Sequence, residues 1–151
     1  MLSCIYFSKK RYNSFENKIY AYMLISNFIG LILDVASIFT IIHMQEFPLL
    51  NFFITRFYLL YLLAWVSLFT IYSISICYIG DRDKQNKIFK VFLWLFVIFG
   101  LVIFFSPLKY FNQNNQIYSY GVGANVSYII GGIYIALCIV YTLKNIKKIK
   151  R

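Results

Sequence analysis

FYLLYLLAWVSLFTIYSISICYI, residues 57–79, runs for 23 residues without a charged side chain. Its second half, residues 72–79, alternates polar and apolar like a β-strand, yet a lone strand in lipid leaves every backbone N–H and C=O group unpaired. A helix satisfies those groups within itself, so the whole run is read as one helix. A bilayer core of about 30 Å needs about 20 apolar residues in a helix, and this run is long enough to cross it. Working outward, three further apolar runs fall at residues 19–42, 88–105 and 126–143, the last two near the lower limit of length. The reading is an all-α integral membrane protein with about four transmembrane helices.

Composition agrees. The chain is 61% hydrophobic and 21% aromatic with only 13% charged residues, against about a quarter charged in soluble domains. A soluble protein of this length leaves roughly a third of its unfolded surface exposed, so such a chain would show large apolar patches to water. The net charge of +10 suits phosphate binding, but the charges sit in three short clusters between long uncharged runs, and no nucleic-acid partner is expected. Cys4, Cys77 and Cys138 are scattered and lack metal-ligand spacing. No metal or cofactor is expected.

The clusters set orientation, because Lys and Arg are retained on the cytoplasmic side. Lys9, Lys10, Arg11 and Lys18 precede the first span; Arg82, Lys84, Lys87 and Lys90 follow the second; Lys144, Lys147, Lys148, Lys150 and Arg151 form the tail. That places thirteen of the 15 basic residues on one side and leaves Arg56 and Lys109 for the other. The expected organisation is a cytoplasmic basic segment at 1–18, a four-helix membrane domain at 19–143 and a basic cytoplasmic tail at 144–151. Residues 1–7 are too short for a signal-peptide core, and their basic residues follow instead of preceding. They read as the end of an earlier, truncated span. Pro48 and Pro107 fall in the outer connections, Asn13 and Ser14 are cap candidates for the first span, and Asp81 follows Gly80 at the end of the second.

Within the first span, Asn27, Gly30, Asp34 and Ser37 recur at spacings of three, four and three, which places them on one face expected to pack against protein. An ionised Asp34 near mid-membrane costs about 2.5 to 3.5 kcal/mol. Its expected role is an interhelical hydrogen bond; the alternative is a proton or cation site or a switch. Arg56 is expected to run its stem along lipid with its head at the outer interface. Ala124, Ser127, Gly131 and Cys138 mark a small-residue face on the fourth span, and Gly132 with Ala136 a second. His43, alone at the outer end of the first span, reads as a polar anchor.

The longest outer connection, residues 106–125, carries two β-prone runs around Asn112-Gln113-Asn114-Asn115. It is read as a small β-hairpin at residues 108–120, with a flexible loop as the alternative. Tyr110, Asn112, Asn114, Tyr118 and Tyr120 are the candidate outer sensing surface.

Three stretches carry a resemblance. Phe7-Ser8-Lys9-Lys10-Arg11, continued by Glu16-Asn17-Lys18-Ile19-Tyr20 and by residues 25–34, is the first; residues 58–69 are the second; Ile117-Tyr118-Ser119-Tyr120-Gly121 through Asn125 to Tyr128 is the third. Together they resemble the N-terminal membrane domain of sensor histidine kinases from low-GC Gram-positive bacteria. The resemblance implies a multi-pass protein of the bacterial plasma membrane that relays an outer or intramembrane stimulus to a cytoplasmic kinase module. It admits a homodimer. The chain has no Asp-x-Gly-x-Gly nucleotide motif and no cytoplasmic His, so no catalytic residue is expected, and it reads as the sensory part of a kinase, a fragment or a truncated product. The competing readings are a small accessory, immunity or transporter-like membrane protein.

Overall fold

The computed structural model describes residues 14–113 and 116–145. The chain is a bundle of four helices, α1 (Phe15–Ile42), α2 (Pro48–Ile76), α3 (Arg82–Phe105) and α4 (Val122–Lys144), with a hairpin of β1 (Leu108–Gln113) and β2 (Gln116–Gly121) between α3 and α4. Each helix is long and apolar enough to cross a membrane, and the molecule is an all-α multi-pass membrane protein. The segment before Ser14, including Cys4, Asn13 and the reading of an earlier span, lies outside the described residues, as do Asn114 and the tail beyond Asn145.

Successive helices run antiparallel. Gln85 at the start of α3 bonds Glu16 at the start of α1 and the Ser75 carbonyl at the end of α2; we refer to this end, which also carries Lys84, Lys87 and Lys144, as the basic end. At the opposite, hairpin end, Arg56 near the start of α2 bonds the last carbonyls of α3. α2 is central, packing on α1 along one side and on α3 and α4 along the other. Every fourth residue of α2 from Asn51 through Thr55, Leu59, Leu63, Ser67, Ile71 and Ser75 is buried, which is the i±4 ridge by which helices interlock.

Packing follows the physics of lipid. Apolar side chains gain little by leaving lipid for protein, so close approach and hydrogen bonding hold the helices together. Small hydroxyl residues therefore line the seams: Ser67 and Thr70 on α2 and Ser127 on α4 donate to the carbonyl four residues back in their own helix. Large apolar residues point outward, with Phe28 67% and Trp94 68% exposed. The inner contacts are Leu59, Leu63, Phe92, Ile103, Ile130 and Tyr134, and the Phe92 and Tyr134 rings meet edge to face at 5.2 Å.

Every helix begins before the apolar run read from the sequence, α1 at Phe15 instead of residue 19. α2 begins at Pro48, nine residues before the apolar run, because proline suits the first helical position, where its missing N–H costs nothing. The polar residues that follow are accommodated inside the helix, Thr55 donating to the Asn51 side chain at 3.3 Å. α3 begins at Arg82 because Asp81 caps it, accepting from the Lys84 backbone at 3.1 Å. α4 begins at Val122, directly after β2. Ser14 caps α1 by accepting from the Asn17 N–H at 3.3 Å.

The hairpin forms, antiparallel, with Leu108 opposite Gly121 and Gln113 opposite Gln116. Of the two small-residue faces on α4, Ala124, Ser127 and Cys138 are buried but Gly131 has open space where a Cβ would lie, while on the second face Gly132 likewise has open space and Ala136 is exposed. The second face therefore points away from the bundle.

Candidate functional site

The polar residues of α1 divide between two positions. Gly30 and Ser37 are buried, while Asn27 and Asp34 are exposed. At about 100° per residue, members of each pair, seven apart, lie within about 20° of one another, but Asp34 is displaced by about 40° from Gly30 and 60° from Ser37. The expected single face is thus a packed seam with a polar flank. The seam is tight: the Tyr61 ring of α2 lies directly over Gly30, where a Cβ would overlap it.

On the flank, Asp34 is met by tyrosines from α2. The Tyr58 hydroxyl lies close to the Asp34 carboxylate, Tyr61 lies near it as well, and the two rings are 6.1 Å apart. Tyr128, on α4, lies within electrostatic range of Tyr58. One carboxylate and three phenols from α1, α2 and α4 therefore gather in the half of the bundle nearer the hairpin. Chemically, the carboxylate can accept a further hydrogen-bond donor.

Arg56 is the residue whose position the sequence reading misplaced. It lies inside α2, only 4% exposed, and does not run along lipid. Its guanidinium donates to the carbonyls of Phe104 at 2.7 Å and Ser106 at 3.1 Å, and to Phe52 at 3.2 Å, with the Phe52 ring 3.5 Å beneath it. The last carbonyls of a helix have no partners within it and carry its negative dipole end, so a planar cation with several donors clamps α2 to the end of α3. The available signal was Phe52 four residues before Arg56, one helical turn away, which makes sense only if the helix begins before the apolar run.

At the basic end, Gln85 is 1% exposed and joins α1, α2 and α3 through Glu16 and the Ser75 carbonyl. Asp81 is held below the usual carboxylate range by hydrogen bonds from the side chain and backbone of Lys84. His43 caps α1, its Nδ1 3.1 Å from the Phe39 carbonyl. Tyr110, Asn112, Tyr118 and Tyr120 fall on the paired strands of the hairpin. Cys77 and Cys138 are separate buried thiols, and no group of metal-ligating side chains occurs among the described residues. No protein-family model, curated protein or solved structure matches the chain.

Proposed function

We propose that this chain is the transmembrane signal-input domain of a sensor histidine kinase of the bacterial plasma membrane, passing an outer or intramembrane stimulus to a cytoplasmic kinase module. The sequence resemblance motivates this reading, and one structural observation supports it. β2 ends at Gly121 and α4 begins at Val122, so the hairpin is joined to the last helix without a linker. A displacement of the hairpin, or of the Tyr128 side of the cluster, would move α4, whose far end leads into the basic tail. In this reading the hairpin faces outward and the basic end faces the cytoplasm. Cysteine placed at the exposed position Asn86 is expected to react with an impermeant thiol reagent only after permeabilisation, and cysteine at exposed Lys109 in intact cells. Labelling of Asn86→Cys in intact cells would reverse the orientation.

The Asp34 carboxylate within a span favours a second reading, a transporter-like protein with a proton or cation site. The two separate in a fusion of the full chain to a complete kinase module. Asp34→Asn keeps an acceptor for Tyr58 and is expected to leave basal output within about twofold of the parent. Asp34→Leu and Tyr58→Phe each remove one polar partner of the pair and are expected to shift output together. Interhelical hydrogen bonds in membranes contribute about 0.6 kcal/mol on average, so all three variants should fold. If Asn changes output as fully as Leu does, the charge is what matters and the second reading gains.

A further inference from the structure

α3 and α4 meet closely at the hairpin end, where a Cβ on Gly123 would lie 3.2 Å from the Ile103 carbonyl. Toward the basic end a groove of about 440 Å³ opens between them, with Ile74 and Phe92 in its lining and Val91, Leu95 and Leu137 along its length. Its rim is of different chemistry, carrying Lys84, Lys87, Tyr78 and Tyr141. Lys84 is shared with Asp81 at 2.7 Å, and its ammonium stands 5.7 Å from the Tyr78 ring. Lys87 stands near enough to the same Asp81 carboxylate to act on it electrostatically.

We infer that this groove is a binding site for one anionic glycerophospholipid of the leaflet at the basic end, its phosphate at Lys84 and Lys87 and an acyl chain along Val91, Leu95 and Leu137. The axis of the groove matches that occupant. Lys87 to Leu95 covers about 12 Å of helix rise, charged at the surface end and apolar toward the bilayer centre, and tyrosines favour headgroup depth. An apolar slot open to lipid takes acyl chains from any phospholipid, so selectivity comes from the rim. Basic pockets between spans select anionic headgroups, each surface lysine contributing about a fivefold gain in affinity. Because the groove includes Leu137 and Tyr141 of α4, its occupancy bears on the helix that leads to the tail.

The test uses the purified full chain in maltoside detergent, titrated with dioleoyl phosphatidylglycerol, dioleoyl phosphatidylcholine or inorganic phosphate, and read by native mass spectrometry and melting temperature. Phosphatidylglycerol should be retained at one molecule per chain and should raise the melting temperature; the other two should do neither. Lys87→Gln should weaken phosphatidylglycerol binding about fivefold, Val91→Trp should block it by filling the slot, and Lys109→Gln at the other end should leave it unchanged. Equal retention of both lipids, protection by phosphate alone, or full binding to both Lys87→Gln and Val91→Trp would overturn the assignment. So would a change of oligomeric state in Val91→Trp, which would mean that a second copy covers the groove.

Discussion

Gly121→Ala is expected to lower the melting temperature of the detergent-solubilised protein sharply and to reduce its folded yield. Gly121 has φ 146° and ψ 179°, a region essentially restricted to glycine, where another residue costs about 1 to 3 kcal/mol. A Cβ there would also lie 2.5 Å from the Pro107 carbonyl oxygen and 3.3 Å from the Leu108 Cα. Both are backbone atoms, so no side chain can swing away to relieve the overlap. The residue pairs with Leu108 at the base of the hairpin and directly precedes α4, so strain there separates the hairpin from the last helix. Gly132→Ala is the control: nothing lies within 4 Å of its Cβ position, and in a helix interior alanine is favoured over glycine by about 1 kcal/mol. Equal melting temperatures for Gly121→Ala and the parent would show that the junction does not hold the hairpin to α4.

The second large effect is expected at Arg56. Arg56→Met keeps much of the side-chain bulk but leaves the Phe104 and Ser106 carbonyls without the donors they have at 2.7 and 3.1 Å. A buried group stripped of its partner costs about 1 to 3 kcal/mol, and with Arg56 only 4% exposed a loss of about 3 kcal/mol is expected. Arg56→Lys should fall between the two, since an ammonium restores charge at the helix terminus but cannot match the planar fork that reaches carbonyls on two helices. Unfolding in graded detergent mixtures, followed by tryptophan fluorescence, gives the order parent, Lys, Met. An Arg56→Met protein as resistant as the parent would remove the clamp from the account of how α2 holds α3.

The course of Arg56 shows why part of this molecule was legible in advance and part was not. Charge-free runs such as residues 57–79 translate directly into helices, because lipid offers no partner for an unpaired backbone group and hydropathy alone then identifies the spans. The two β-prone runs flanking residues 112–115 left a hairpin and a flexible loop both open, and the structure pairs them as a hairpin. Helix ends were less legible: Pro48 at a first helical position and Pro107 before a strand look alike in sequence, and only the contacts around them differ.

Which side of each helix faces its neighbours was decided by the tertiary structure. In water, an apolar stripe marks the buried face of a helix; in lipid both faces are apolar, and the faces are chosen by close fit and by individual hydrogen bonds. That is why Asn27 and Asp34 share a face with Gly30 and Ser37 by spacing yet fall outside the seam that Tyr61 makes over Gly30, and why Gly132 points away from the bundle. The destinations of Arg56 and Gln85, reaching partners 48 and 69 residues distant in the chain, have no local signature at all. The sequence by itself determined that the chain forms apolar helices with a polar connection, because the bilayer imposes that on any chain of this composition. The three-dimensional arrangement alone determined which polar groups meet, because each such meeting depends on the simultaneous position of two or three helices.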